Sequence, residues 1–467
     1  MNIGMVRLLS LWLAIMLNAC QVKPSSGLQS PPVLHPDPRL RGSSITWYKY
    51  GKDMSAAERT LLDRFTADTG IRVKVIPFPV PIPEAYASYQ QVFKTRRADL
   101  DVFSVDIIWT KAFAPYLVDL RPALGAVARD HFPDMIRNNT VGGRLIGIPF
   151  VSNVGALYYR TDLLKKYGFR GPPTTWEDLE RMAKTIQAGE RAHNPEFTGF
   201  VWPGAAEEAL TNDGLEWQVS HGGGQILNPR TGAIEVNNPR AIAAFKRAAG
   251  WLGTISPPGL RSFSGDDAFD CFMKGNAAFA RLWIASWGHR QYLTANAPGS
   301  PIRSRFDITV LPHARGPYPP ASSRGEWQLG VSIFSKKREA AIEFVGYMTS
   351  YAVQRWRAMN ADLPPTIPAL YRDPEVLRTE PYLKTVGWIL DRYAVARPSW
   401  QAGVRYNELS RLYFEGVGAI LQGKDVSHAV ATMERDIRLL LNSARSAPSE
   451  RESRSRGPVT GPGRAGR

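Results

Sequence analysis

Several residues whose side chains could hold a small molecule stand at the ends of apolar runs. Asp106 closes LDVFSVD, Asn153 follows GIPFVS, Trp283 ends NAAFARLW, and Trp327 with Gln328 opens the run WQLGVSIF. Carboxylates and amides offer paired hydrogen bonds, an arginine such as Arg397 in VARPSW offers a rigid fork, and an indole offers a flat face. Thirteen tryptophans in 467 residues exceed what packing usually requires. The set suits non-covalent recognition of a flat polar ligand. Metal chemistry finds less support. There is no CxxC, HExxH or Cys/His cluster, so no zinc site is expected and no cofactor is implied. Tyr158 and Tyr159 are adjacent, so on a strand they point to opposite sides and do not chelate one ion together.

These residues need elements to position them, and the pattern supplies alternating β and α units. Ser44–Tyr48 is β-prone, Met54–Thr69 has helical spacing through Leu61, Leu62 and Phe65, and Ile71–Phe78 alternates as a strand. A second helix over Tyr86–Arg97 and a third strand over Leu100–Ile108 follow. That alternation predicts an α/β fold with a parallel sheet covered by helices. Further strands are expected at Ile146–Phe150, Ala156–Tyr159, Ala277–Ala280, Phe306–Leu311 and Gln328–Phe334. Helices are expected at Trp176–Ala188 (with Thr175 as N-cap), Pro239–Gly250, Phe269–Lys274, Lys336–Ser350, Tyr351–Ala358, Asn407–Leu421 and Val426–Asn442.

The chain is long enough for two lobes. Its N-terminus carries Arg7 and then the apolar run Leu8–Leu17. Ten residues span about 15 Å as a helix, short of the about 30 Å of a bilayer core. Leu17-Asn18-Ala19-Cys20 then resembles a lipobox, which makes residues 1–19 a signal peptide and Cys20 the lipidated residue. An ordinary secretory signal is the alternative. Residues 20–43 are rich in Pro and Ser and read as a flexible tether. Cys271 is the only other cysteine and is expected as a small buried apolar residue. Of the formal charge of +16, the tail 444–467 contributes +4 through six Arg against two Glu. That tail is expected to be disordered. The other charges are interspersed, which suits a surface near an anionic membrane and not a nucleic-acid footprint.

An ordered series of motifs carries a family resemblance. FTADTGIRVKV is followed by LDVFSVDIIWT, GIPFVSNVGALYYRTDLLKKYG, PPTTWEDL, FDCFMKGNAAFARLW, QLGVSIFS with AAIEFVGYMTS, and LPPTIPALYRDPEV. From Ser44 to Asn442 the chain resembles the family 1 extracellular solute-binding proteins, the carbohydrate-binding components of ABC importers. Within them it is most similar to the trehalose- and maltose-type lipoproteins. The resemblance implies a two-lobed periplasmic-binding-protein fold of type II. Its hinge has three crossovers, expected near Phe150, Leu311 and Ala361. The lobes would be 44–150 plus 311–361 and 151–310 plus 362–443.

The resemblance also implies a function and a site. The protein would be an extracytoplasmic, lipid-anchored monomer that captures a di- or oligosaccharide in its cleft. It would deliver the sugar to the membrane permease, with no enzymatic step. Asp106 matches a position that binds sugar hydroxyls, although a helix N-cap is the plain alternative. Asn153 matches a frequent ligand contact, or else a turn. Trp283 matches a stacking aromatic, and Arg397 an arginine before proline. Trp287, Trp327, Gln328, Tyr48 (with Tyr50) and Gln91 (or Gln90) are further candidates. Trp202, Glu207 and Trp400 complete the set. A glycoside hydrolase remains the rival, but Asp106 and Glu207 would lie in different lobes and no flanking pair is evident. Polyols, glycerol-phosphate esters and metals remain as other ligands.

Overall fold

The structure is a computed structural model. It describes residues 37–446 apart from 52–53, 79–81, 285–300, 303 and 362. The lipobox with Cys20, most of the tether, Trp287 and residues 447–467 of the tail lie outside the described residues.

The first half begins with strands that alternate with helices, as the pattern predicts. β1 (Ser44–Tyr50) pairs in parallel with both β2 (Arg72–Phe78) and β3 (Val102–Asp106). The intervening helix Ala56–Thr69 starts at a capping box between Ser55 and Glu58. It ends at Gly70, whose φ of 71° is left-handed and suits glycine. Its buried Leu61, Leu62 and Phe65 lie on one face and pack against Trp47 and Phe344 in a compact core. The helix Ile82–Lys94 covers the other face of the sheet.

A short hairpin, β4 (Thr140–Val141) with β5 (Arg144–Leu145), leads into the strand that organises the molecule. β6 (Ile148–Arg160) is continuous over 13 residues, where the sequence pattern suggested two separate runs. Its partners change along its length. Residues Ile148–Val154 pair with β10 (Ser322–Val331), and Gly155–Arg160 pair with β8 (Ala277–Trp283) and β9 (Phe306–Thr309). β10 behaves likewise, with Trp327–Val331 on β3 and Ser322–Ser323 on β11 (Ala394–Val395). β7 (Thr198–Val201) completes the order β2-β1-β3-β10-β6-β8-β7. The fold is thus α/β and two-lobed, with β6 and β10 running through both halves. β10 begins six residues before the expected Gln328. Its first residues, SSRGEW, are polar, and Ser323, Arg324 and Glu326 are held in hydrogen bonds and ion pairs.

The chain after β9 stays against the second lobe. His313 bridges Thr175, and the Ala314 amide donates to the Ser220 carbonyl at 3.0 Å. We therefore propose that the second crossover lies within β10 and not at Leu311. The segment after Ala361 runs beside β6, where the Ser152 amide donates to Pro364 O and Thr366 Oγ1 donates to Pro149 O, each at 3.2 Å.

The helix Glu208–Ser220 was not foreseen. Its burial on nearly all sides leaves no amphipathic signature. Among the described residues, no helix is long and apolar enough to cross a membrane.

Candidate functional site

Asp106 closes β3 beside Trp327, its register partner on β10. Its Oδ1 accepts from the Ile108 amide at 3.1 Å, so the residue does cap the following turn. The same oxygen lies 3.4 Å from Arg397 Nη2. Arg397 follows β11 and reaches the other way through Nη1, which donates to Glu208 Oε1 at 2.7 Å. Tyr406 and Ser410 hydroxyls also donate to Glu208, at 2.5 and 2.6 Å. Glu208 sits in the first turn of its helix, where the helix dipole favours a carboxylate. One guanidinium thereby joins the first lobe to the second.

Burial sets the electrostatics. It pushes the Asp106 carboxyl up to about 6, against the opposing pull of Arg397 and the Ile108 amide. Burial also works against the Arg397 charge, but Tyr406, Asp106 and Glu208 outweigh it and hold the guanidinium ionised. Behind this site, on the other side of β10, Glu326 is buried and raised from its ordinary 4.5 to about 7 by desolvation, despite Arg324 and Arg397. Arg324 Nε lies 2.9 Å from Glu326 Oε1, and Arg324 also pairs with Asp134.

Trp283 occupies the second-lobe side. Arg281 stands two residues earlier on β8, hence on the same face, and its guanidinium lies 4.3 Å from the Trp283 ring centroid. Arg281 is in turn held by Glu216, at 2.9 and 2.7 Å, and by Asp213 at 2.8 Å. Burial drives the Asp213 carboxyl well above the usual range, with Arg281 opposing it. Ser323 completes the cluster through its amide and hydroxyl on Glu216 Oε1, at 2.8 and 2.6 Å. Two glycines admit this arrangement. A Cβ on Gly155 would fall 2.3 Å from Glu216 Oε1, and one on Gly325 would fall 3.0 Å from the Trp283 ring.

On the first-lobe side, Tyr50 stacks on Trp327 with centroids 3.9 Å apart and planes at 16°. Trp109 meets Trp327 edge-on at 5.9 Å. Tyr50, Phe78, Asp106 and Trp109 all stand at or just beyond the C-terminal ends of parallel strands, the edge where α/β folds place ligands.

The remaining candidates divide. Asn153 lies on β6 opposite Gly325, with its side-chain oxygen accepting from the Val154 amide at 3.0 Å. Glu207 precedes the helix Glu208–Ser220 and is half-buried, its carboxyl raised by burial and then by Asp266 and Asp267. Gln328 turns inward and donates to Thr110 Oγ1 at 2.8 Å. Tyr48 lies in the first-lobe core, bonded to Ser88, because alternation along β1 sends Tyr50 and not Tyr48 to Trp327. Trp202 is wholly buried against Trp217 and Trp251. Gln90 and Gln91 are exposed on the outer face of their helix. Trp400 is exposed, with the Lys111 ammonium 3.9 Å from its ring. Cys271 is only partly buried, and its thiol is pushed up to about 11 by burial. Among the described residues there is no group of three His, Cys, Asp or Glu able to hold a metal.

Glu208, Glu216, Arg281 and Tyr406 were not anticipated. Arg281 had a signal, its i, i+2 spacing to Trp283. So did Glu208 and Glu216, which with Asn212 repeat every four residues along one helix face.

Comparison with known proteins agrees with this architecture. Residues 48–355 match the bacterial extracellular solute-binding proteins. A probable ABC transporter-binding protein of Deinococcus radiodurans is 38% identical over 80% of this chain and 87% of its own. The maltose-bound MalE3 of T. maritima superposes with a TM-score of 0.78 at 30% identity, covering 85% of this chain and 100% of that one. A ribitol-bound solute-binding protein of Agrobacterium radiobacter K84 shares the fold at 22% identity, with a TM-score of 0.73 and coverage of 86% and 99%. With its two-lobed fold and this match over most of its length, the chain belongs to the bacterial extracellular solute-binding protein family.

Proposed function

We propose that the protein binds a carbohydrate between its two lobes and presents it to the permease of an ABC importer. One observation carries the reading. The Arg397 guanidinium links Asp106 of the first lobe to Glu208 of the second, and partly exposed Trp283 and Trp327 flank the crossing strands. Fork-shaped polar groups beside aromatic faces match the hydroxyl rim and apolar faces of a sugar. The likeness to maltose-bound MalE3 supports the same ligand class.

In this cycle the open protein takes up sugar and the lobes close. Closure is favoured because the ligand contacts residues from both halves only in that state. Asp106 and Arg397 supply hydrogen bonds at the junction, with Asn153 and Glu207 beside them. Trp283 supplies a stacking face. Lipid on Cys20 and the Pro-rich tether that follows would keep the protein at the outer side of the membrane, near the permease. No covalent step is involved.

Thermal unfolding against a panel of mono- and disaccharides tests the reading. A sugar at about 100 times its dissociation constant adds about 2.7 kcal/mol and raises the melting temperature by some degrees. Trp283→Ala is expected to abolish that shift. A panel without any shift would remove carbohydrate as the ligand class.

A further inference from the structure

We propose that the pole of the first lobe where its parallel strands begin, the end away from the cleft, is a docking surface for an anionic phospholipid bilayer. The inference concerns where the protein rests between encounters, and it does not depend on which ligand the cleft carries.

The topology collects the charge. β1, β2 and β3 are parallel, so all three start at this pole and end at the cleft edge. The helix Ile82–Lys94 runs back from the end of β2 to the start of β3, which leaves exposed Lys94, Arg96 and Arg97 at the pole. β10 is antiparallel to β3, so the exposed Lys336, Lys337 and Arg338 that follow it arrive there too. Two bonds fix that placement. The Ser332 amide donates to Asp101 O at 2.9 Å, and the Lys337 ammonium donates to Ser44 O. Residues 37–41, 72–74, 94–101 and 336–339 together hold ten Lys or Arg against four Asp or Glu. The cleft edge gathers carboxylates instead. There Glu207 feels Asp266, Asp267, Glu208 and Glu84, whose charges add to burial in raising its carboxyl. Such a separation of charge orients the molecule in the field of an anionic surface, pole inward and cleft edge outward.

Two further observations favour a bilayer. First, the described chain enters at this pole. The Gly42 amide donates to Gly70 O at 3.0 Å and the Arg72 amide to Ser43 O at 2.9 Å, which ties the entering segment to the starts of β1 and β2. Sixteen residues separate Cys20 from Asp37, a span of at most about 55 Å when fully extended. A lipid on Cys20 would therefore keep this pole, and not the cleft edge, nearest the membrane. Second, the pole is not purely ionic. A groove of about 370 Å³ is lined by Phe93, Tyr116, Ile333 and Phe334 together with Lys94 and Arg96, and Tyr116, Ile333 and Phe334 are partly exposed. Basic side chains around an aromatic groove match phosphate headgroups above acyl chains. With the pole on the bilayer, the length of β1 holds the cleft edge roughly 20 Å further out, open to solvent.

Co-sedimentation with phosphatidylglycerol–phosphatidylcholine vesicles tests the proposal, using the chain from residue 20 onward with Cys20→Ala so that no acyl chain contributes. It should bind these vesicles, bind pure phosphatidylcholine far more weakly, and lose affinity as salt rises. The triple variant Lys94→Gln, Arg96→Gln, Lys336→Gln should weaken binding about a hundredfold, about fivefold for each cation taken from the surface. The charge-matched triple variant Arg451→Gln, Arg454→Gln, Arg456→Gln in the C-terminal tail should weaken it less than about tenfold. Hydrogen exchange on the unsubstituted pole supplies a second readout should the first triple variant fail to fold. Anionic vesicles should protect residues 94–98 and 336–339 and leave residues 106–110 at the cleft edge unchanged. Equal binding to anionic and neutral vesicles would overturn the docking surface. So would an equal loss in the two triple variants, which would assign the binding to net charge, or protection at the cleft edge in place of the pole.

Discussion

Arg281 and Arg397 are both buried, and each faces two carboxylates, but they are placed differently. Arg281 and its partners Asp213 and Glu216 all belong to the second lobe, with every contact at 2.7–2.9 Å. Arg397 holds Glu208 of that lobe at 2.7 Å and reaches Asp106 of the first lobe only at 3.4 Å. In the proposed cycle the first cluster would stay intact as the lobes part. In that cycle the second would lose its longer contact, to Asp106, and Arg397 would stay with Glu208. The same chemistry would thus serve as a fixed brace in one place and, in the proposed cycle, as a contact of closure in the other.

The largest expected effect lies in the brace. Arg281→Ala leaves two buried carboxylates facing each other without a counter-charge, and breaking such a cluster costs about 3–5 kcal/mol. Chemical denaturation should show that loss, together with weakened sugar binding, because Trp283 loses its backing. Arg397→Ala should behave in the opposite proportion. Because the proposed opening would itself separate Arg397 from Asp106, stability should fall less, while ligand affinity should fall by about 1.5–3 kcal/mol, as for hydrogen bonds to a charged group. Equal destabilisation by the two variants would erase the distinction between brace and closing contact.

Much of this was legible in the sequence, for identifiable reasons. The strands β1 to β3 and the helix Ala56–Thr69 announce themselves through alternation and through apolar spacing on one face. Asp106 stood out as a carboxylate at the end of an apolar run, and it proves to be both a turn cap and an ion-pair partner. What escaped notice was whatever crosses the lobes. β6 looks like two strands because its middle, Ser152-Asn153, is polar at the junction, and β10 hides its first half behind SSRGEW. The helix Glu208–Ser220 carries Glu208, Asp213 and Glu216 inside the fold, where local pattern predicts apolar residues. Trp202 shows the converse, an aromatic that sequence made a ligand candidate but whose ring packs among other tryptophans.

Glu326 extends the comparison to pH, since its carboxyl is affected by Arg397 and Asp106. Burial raises it from 4.5 to about 7, so the folded protein holds this proton more tightly than the unfolded chain does. Its contribution is complete below pH 4.5, is lost as pH rises through about 7, and changes no further above that. Asp106, raised from 3.8 to about 6, adds a similar slope over a lower window. Glu326→Gln should flatten the fall in stability between pH 5 and 7.5 and should raise stability at pH 8 on the order of 1–2 kcal/mol. Arg397→Ala should steepen the same slope, because it removes a charge that favours ionised Glu326. Arg281→Ala should not. A slope unchanged in Glu326→Gln would assign it to other groups.

The smallest effect separates the two glycines that admit these clusters. At Gly155 a methyl group would sit 2.3 Å from Glu216 Oε1 and 2.7 Å from Arg281 Nη2, both locked in the brace. At Gly325 it would sit 3.0 Å from one edge of the Trp283 ring. The first clash has no room to relax without breaking a buried ion pair. The second is met by an indole that is partly exposed and can tilt by a few tenths of an ångström. Gly325→Ala should therefore cost less than about 1 kcal/mol of stability and weaken sugar binding by a few fold, through the displaced platform alone. Melting temperature and titration calorimetry on the two variants separate these outcomes. If Gly325→Ala left affinity unchanged, the Trp283 ring would not need its place against β10.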